Sequence, residues 1–149
     1  MPSTTARLVI EHNVRVPMRD GITLAAEIYR PDTTDPLPVI LERTPYDRRW
    51  MPPGDPVNGI ALAETGYVVI MVDCRGRFDS EGAFTPFVDE ARDGVDTIAW
   101  VTAQPWSNGR VGMLGGSYVG ATQWLAAGER PPALQAIAPY VTASDYHEG

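Results

Sequence analysis

The sequence predicts an α/β protein with an antiparallel start, and three observations carry that expectation. From residue 38 onward, short apolar runs alternate with segments of helical period. Glycine and proline punctuate the joins between them. Before residue 38, two β-favouring runs flank one tight turn. Alternating strands and helices build a largely parallel sheet, and a leading hairpin gives it an antiparallel edge.

Each element has its own local reason. Residues 7–16 and 23–29 read as strands, and Asp20-Gly21 between them is a strong hairpin signal. Residues 38–43 make a third strand, followed by a proline-rich loop. Residues 57–65 read as a helix ended by Gly66, which suits a left-handed cap. The apolar run 67–72 reads as a strand buried on both faces, the usual mark of a central parallel strand. Val88, Ala91, Val95, Ile98, Ala99 and Thr102 recur at helical spacing with acids interleaved, so residues 88–102 are expected to form an amphipathic helix with the acids facing water. Residues 110–114 form the next strand and 118–127 the next helix, closed by Gly128. A further strand spans 134–138.

Composition narrows the function classes. The 149 residues fit one domain or part of one, and 44% hydrophobic content is enough for one core. All 12 basic residues are arginines, scattered among 19 acids for a net charge of −7, which argues against a nucleic-acid-binding face. The apolar run 67–72 is far short of the roughly 18–20 residues that span a bilayer. Met1-Pro-Ser-Thr-Thr-Ala shows neither the basic nor the apolar region of a secretion signal, so a cytoplasmic setting without membrane partners is expected. A single cysteine, Cys74, excludes an internal disulfide and a cysteine-rich zinc site; buried packing is its expected role.

The sharpest local signal is Val111-Gly-Met-Leu-Gly-Gly-Ser-Tyr-Val-Gly120. A short strand runs through a glycine pair into a serine and then a helix. A nucleophile elbow needs this arrangement, because its serine occupies a tight strand-to-helix turn with small neighbours. Gly115 fits at two residues before Ser117, but Val119 stands where the generic G-x-S-x-G has its second glycine. On these residues alone an ordinary turn remains an equal reading. A dinucleotide fingerprint does not: Ser117 occupies the middle glycine position, and the next strand, 134–138, ends at Pro139 where the ribose-binding acid would stand.

Four motifs together carry a resemblance. Arg43-Thr-Pro-Tyr-Asp47, Asp73-Cys-Arg-Gly-Arg-Phe-Asp-Ser-Glu-Gly82, Asp93-Gly-Val-Asp-Thr-Ile-Ala-Trp100 with Gln104-Pro-Trp106, and Gly115-Gly-Ser-Tyr-Val-Gly120 occur in order. Over residues 10–149 the chain resembles the N-terminal half of the X-prolyl dipeptidyl-peptidase-like α/β-hydrolases (CocE/NonD), a group that includes cocaine-esterase, α-amino-acid ester hydrolase and glutaryl-acylase types. That family's elbow is G-x-S-Y-x-G, which Val119 and Gly120 fit.

The resemblance implies a hydrolase of esters, amides or short peptides, with no metal or organic cofactor. It assigns Ser117 as the acyl-forming nucleophile. It builds the oxyanion hole from the backbone N–H of Tyr118 and the phenol of Tyr46. A free amide at a helix N-terminus suits an anion, which agrees with the first donor. Without the family, Tyr46 reads as a packing tyrosine in a proline-rich loop. Asp73 and Arg75 are read as organising their loop through hydrogen bonds and an ion pair, and Trp50, Trp100, Trp106 and Trp124 read as packing, with Trp50 the one candidate for contact with a pocket.

The triad is expected to be incomplete here. A serine hydrolase needs a base and an orienting acid, which follow the nucleophile in α/β-hydrolases. His12 lies before Ser117 in a strand, and His147 follows by only 30 residues; neither is assigned as the base. Residues 1–149 are therefore expected to be the N-terminal part of a catalytic domain, lacking the cap and later strands. An open sheet edge would favour self-association, including a homo-oligomer. An esterase or acylase is the expected activity of the intact protein. An X-prolyl dipeptidyl-peptidase, or a non-catalytic binding module with the same shell, are the alternatives.

Overall fold

A computed structural model of the chain describes residues 7–50 and 57–145. Its elements run β1 (Leu8–Pro17), β2 (Thr23–Pro31), β3 (Leu37–Thr44), α1 (Gly59–Glu64), β4 (Val68–Asp73), α2 (Glu90–Thr102), β5 (Ser107–Gly116), α3 (Tyr118–Gly128) and β6 (Leu134–Tyr140). The six strands form one sheet in the order β1-β2-β4-β3-β5-β6.

The hairpin predicted at Asp20-Gly21 is present. Gly21 takes φ +90° and donates its N–H to the Met18 carbonyl at 3.0 Å. β1 pairs antiparallel with β2, and β2 pairs antiparallel with β4. β4 is buried along its whole length, as its apolar run demands. Its two neighbours differ, however: β2 is antiparallel and β3 is parallel. From β3 onward every pairing is parallel, so β3, β4, β5 and β6 end at one edge of the sheet. After β4 the chain crosses back over β3 to lay β5 on its other side. That reversal of direction opens a crevice beyond the carboxyl ends of β3 and β5, where open α/β sheets hold ligands.

Helices cover both faces. On one, Ile98 and Val101 of α2 and Ala126 of α3 pack on Leu24, Ile28, Leu41, Ile70, Val72 and Met113. On the other, Ala63 of α1 packs near Tyr29, Val69 and Met71. Asn58 caps α1 by accepting from the Ala61 N–H, which makes this helix shorter than the expected 57–65. Gly66 follows it with φ +99°, as the cap reading required. After α3 the left-handed residue is Arg130, at φ +53°, and not Gly128. Among the described residues no helix is long and apolar enough to cross a membrane.

The acids of α2 correct the sequence reading. Glu90 and Asp93 are buried, and the buried face is Glu90, Asp93, Gly94, Thr97, Ile98 and Val101, while Val88 lies exposed before the helix. Two arginines draw the acids inward. Arg43, fully buried on β3, places Nη2 2.8 Å from Glu90 Oε2 and donates from Nη1 to the Glu90 carbonyl. Arg75 grips Asp93 with two bonds of 2.7 and 2.9 Å. Gly94 lets α2 approach α3, because a Cβ there would stand 2.7 Å from that of Ala126. Both acids also sit in the first turn of α2, where the helix dipole favours negative charge.

Candidate active site

Ser117 joins β5 to α3 with φ +56° and ψ −127°, a sparsely populated conformation for a residue with a side chain. Its surroundings fix it there. The Ser117 N–H donates to the Tyr140 carbonyl at 3.0 Å, and the Ser117 carbonyl accepts from Gly120 and Ala121 at 2.9 and 3.1 Å.

The glycines around it answer the missing G-x-S-x-G match. Gly115 takes φ +140°, and a Cβ on it would lie 2.3 Å from Cγ1 of Val119. Val119 at the usual glycine position therefore fits only because Gly115 has no side chain. Gly120 serves a different neighbour: a Cβ there would lie 2.4 Å from Cγ2 of Thr142, just after β6.

Gln123, fully buried on α3, locks the turn further. Its Nε2 donates to the carbonyls of Gly115 and Val119, and its Oε1 accepts from the Ala138 N–H. One amide thus ties β5, α3 and β6 together beneath Ser117. Helical periodicity gave no warning of it, because a glutamine in a helix defaults to solvent.

Tyr46 comes from the loop after β3. Its hydroxyl lies 3.3 Å from Ser117 Oγ. Three contacts set the loop: Tyr46 N–H donates to Thr44 Oγ1, Arg77 Nε donates to the Pro45 carbonyl, and the Arg48 N–H donates to Asp73 Oδ1 at 2.7 Å. Thr122 of α3 reaches the Arg43 carbonyl at 3.2 Å, which joins the Ser117 helix to the strand that presents Tyr46.

Tyr118 turns its phenol away from the serine. The phenol donates to Glu90 Oε1 at 2.8 Å, accepts from the Phe87 N–H at 2.9 Å, and its ring stacks on Phe87. Burial, reinforced by the Glu90 charge, pushes this phenol well above its ordinary pKa, so it stays a hydrogen-bond donor. That leaves the Tyr118 amide. As the first residue of α3 it has no acceptor within the helix.

The Asp73-Cys-Arg-Gly76 stretch is structural, with partners other than those read from sequence. Asp73 does not pair with Arg75. Its carboxylate holds Arg48, whose guanidinium also reaches Glu27 and Asp79. Arg75 spans Asp93 and Asp20. Burial pushes the Asp73 carboxyl above its ordinary value against the pull of Arg48. Burial likewise pushes the Cys74 thiol up, although Arg43 is near. Sequence reasoning missed Arg48 and Glu27 because their pairing joins distant segments.

A cleft of about 230 Å³ opens at Ser117, lined among others by Glu42, Thr44, Tyr46, Trp50, Val57 and Tyr140. Trp50, exposed over 60% of its surface, does reach this pocket. Trp100 and Trp106 pack edge to face, 6.2 Å apart, against the core. His12 lies on β1, hydrogen-bonded to Glu27 and largely exposed, so three strands separate it from β5. His147 lies outside the described residues.

The family model of the X-Pro dipeptidyl-peptidase (S15 family) matches residues 20–149. The chain belongs to this family. It is 44% identical over 142 residues to cocaine esterase of Rhodococcus sp. (strain MB1 Bresler), covering 93% of the chain and 24% of that protein. It is 35% identical to a putative serine esterase of Mycobacterium bovis, covering 89% of the chain and 24% of that protein. Among solved structures, a CocE/NonD family hydrolase from Staphylococcus aureus superposes with a TM-score of 0.81 at 30% identity, over 87% of this chain and 27% of that one. An α-amino acid ester hydrolase gives a TM-score of 0.81 at 31% identity, over 96% and 26%. The S15 chain described here thus has an α/β-hydrolase fold and spans about a quarter of the length of these relatives.

Proposed function

We propose that this chain supplies the nucleophile and the oxyanion site of a serine hydrolase that cleaves carboxylic esters or amides through an acyl-Ser117 intermediate. The observation that carries this reading is the 3.3 Å approach of the Tyr46 hydroxyl to Ser117 Oγ, at a strained turn that opens a helix.

Each group then has a role. Ser117 Oγ attacks the substrate carbonyl carbon and gives up its proton to a base. The carbonyl oxygen becomes an oxyanion, which Tyr46 O–H and the Tyr118 N–H stabilise from two elements, aided by the positive end of α3. Collapse of the tetrahedral species expels the alcohol or amine, and water then releases the acyl group. The hydrogen bonds of the turn keep Ser117 in one conformation, so little reorganisation accompanies attack. Among the described residues no histidine hydrogen-bonds to Ser117 Oγ, and the reading takes the base and its orienting acid from residues beyond those described. An ester is favoured over an X-prolyl peptide because the named relatives at 44% and 35% identity are esterases.

The test uses the hydrolase that carries this chain. p-Nitrophenyl acetate should give a burst of nitrophenol and an acetylated peptide containing Ser117, both absent in Ser117→Ala. Turnover that survives Ser117→Ala would overturn the reading.

A further inference from the structure

Arg77 stands apart from the arginines around it. Arg43, Arg48, Arg49 and Arg75 each hold a carboxylate. Arg77 donates Nε to the Pro45 carbonyl at 3.0 Å, and its guanidinium carbon lies 5.3 Å from the ring centroids of both Phe78 and Phe84. Among the described residues nothing accepts a hydrogen bond from its two terminal nitrogens, and no acid pairs with it. With 19 acids against 12 arginines, the chain does not lack counter-ions to give it. One hydrogen bond and two rings fix the guanidinium plane while four terminal N–H donors remain unused, the fork that suits a carboxylate.

Its position gives the fork a purpose. Arg77 lines an open cleft of about 490 Å³ with Tyr46, Asp47, Trp50 and Phe78. Tyr46 and Trp50 also line the cleft at Ser117, so the two hollows share a wall. The Asp47 carboxylate is occupied by Arg49 at 2.9 and 3.2 Å, which leaves Arg77 as the charge of this lining without a counter-ion. A substrate with its carbonyl between Ser117 and Tyr46 can pass the tyrosine ring and extend toward Arg77.

We propose that Arg77 binds a carboxylate on the substrate, so that the site selects esters or amides bearing an anionic group on either the acyl chain or the leaving group. The inference rests on the serine-hydrolase reading above. Cation and anion form a charge-assisted pair, bidentate where the fork is met squarely.

The experiment compares charged and neutral twins on the hydrolase that carries this chain. One arm sets mono-p-nitrophenyl glutarate against p-nitrophenyl pentanoate, placing the charge on the acyl group. The other sets 4-carboxyphenyl acetate against its methyl ester, placing it on the leaving group. The readout is the ratio of kcat/KM within a pair, because Arg77→Gln also loses its brace on Pro45 and lowers both members. Arg77→Gln should drop the ratio about tenfold in one arm, which identifies the part of the substrate that carries the charge. Arg77→Lys should fall between, keeping the charge without the fork. In the unaltered enzyme, added NaCl should lower the ratio in that same arm, a readout that survives if the variants fail to fold. Ratios unmoved by both substitutions, or by salt in the unaltered enzyme, would overturn the proposal. If such a flat result comes with turnover that Ser117→Ala abolishes, only the Arg77 proposal fails. Turnover that Ser117→Ala leaves intact removes the serine-hydrolase reading instead.

Discussion

The hydroxyls of Tyr46 and Ser117 lie 3.3 Å apart across 71 residues of chain. β3 and β5 are neighbours in the sheet, and each ends at the same edge, so the loop after one meets the turn after the other. The Thr122 bond to the Arg43 carbonyl holds that relation from behind. If the pair works as proposed, Tyr46→Phe in the hydrolase carrying this chain should lower kcat by about 10²–10³-fold with little change in KM, as expected for a donor used mainly in the transition state. Steady-state kinetics on two ester substrates check this. A rise in KM at unchanged kcat would mean that Tyr46 only binds substrate.

Much of this framework was legible in the sequence, because strands with one or two buried faces and helices with capped ends announce themselves locally. The hairpin glycine, the apolar run of β4 and the Gly115-Gly-Ser117 turn are of that kind. The charged interior was not legible. Glu90 and Asp93 sit in a helix of ordinary polar pattern, where an acid is expected to face water. Their partners Arg43 and Arg75 come from β3 and the loop after β4, so only the assembled sheet reveals the pairing. The same holds for Gln123, whose three bonds go to atoms on three elements.

Gly115 should be intolerant of any side chain for two separable reasons. Its φ of +140° disfavours a Cβ, and that Cβ would stand 2.3 Å from Val119 Cγ1. Gly115→Ala should cost about 1–3 kcal/mol from crowding in addition to backbone strain. Gly21→Ala is the control: its φ is +90° with nothing within 4 Å, so only the backbone part remains. Urea denaturation should rank Gly115→Ala well below Gly21→Ala, and Val119→Ala added to Gly115→Ala should recover the Cγ1 share of the crowding, since the Cβ at 119, 3.0 Å away, remains. Equal losses for the two alanine variants would refute the packing argument.

The buried Arg43–Glu90 pair gives an asymmetric prediction. The 2.8 Å contact of Nη2 with Oε2 is out of line for a hydrogen bond, so charge attraction holds it. Arg43→Met should destabilise by about 3–5 kcal/mol because Glu90 then keeps a buried charge beside Asp93 without its cation. Arg43→Met with Glu90→Met should recover a large part of that loss, although the Glu90 bond to Tyr118 goes too. Denaturation midpoints of the two variants decide the matter, and a double variant as unstable as the single would contradict it.

Acid should loosen the contact between the hairpin turn and the loop after β4. Hydrogen bonding to Arg75 holds the Asp20 carboxyl below its ordinary value. A carboxyl whose folded pKa is depressed contributes stability above its unfolded pKa of roughly 3.9 and loses it as pH falls through the folded value. Asp20→Asn should therefore melt below the unaltered chain at pH 7, and the two curves should converge as pH drops below about 4. Asp20 is exposed to solvent, so salt should shrink the difference at neutral pH. A gap that widens in acid would mean that Asp20 acts through something other than its charge.

Purified alone, the 149-residue chain should show no appreciable serine-dependent turnover. The motive is where the histidines are. His12 is held by Glu27 on β1, with β2, β4 and β3 between it and the strand that carries Ser117. His147 lies outside the described residues, and its separation of 30 residues from Ser117 is short for the base of an α/β-hydrolase. An unassisted serine hydroxyl stays protonated near neutral pH and attacks poorly. A positioned base is worth about 10²–10⁴-fold, and losing one member of a triad often costs more because the members act together. Tyr46 and the Tyr118 amide keep their places without a base, so a weak residual rate is compatible with the prediction. p-Nitrophenyl acetate hydrolysis and fluorophosphonate labelling should therefore be near background, and equal in the unaltered chain, Ser117→Ala and His147→Ala. Robust turnover lost in Ser117→Ala and lost equally in His147→Ala would make His147 the base and defeat the prediction. Turnover lost in Ser117→Ala but kept in His147→Ala would defeat it as well, and would point to a base other than His147.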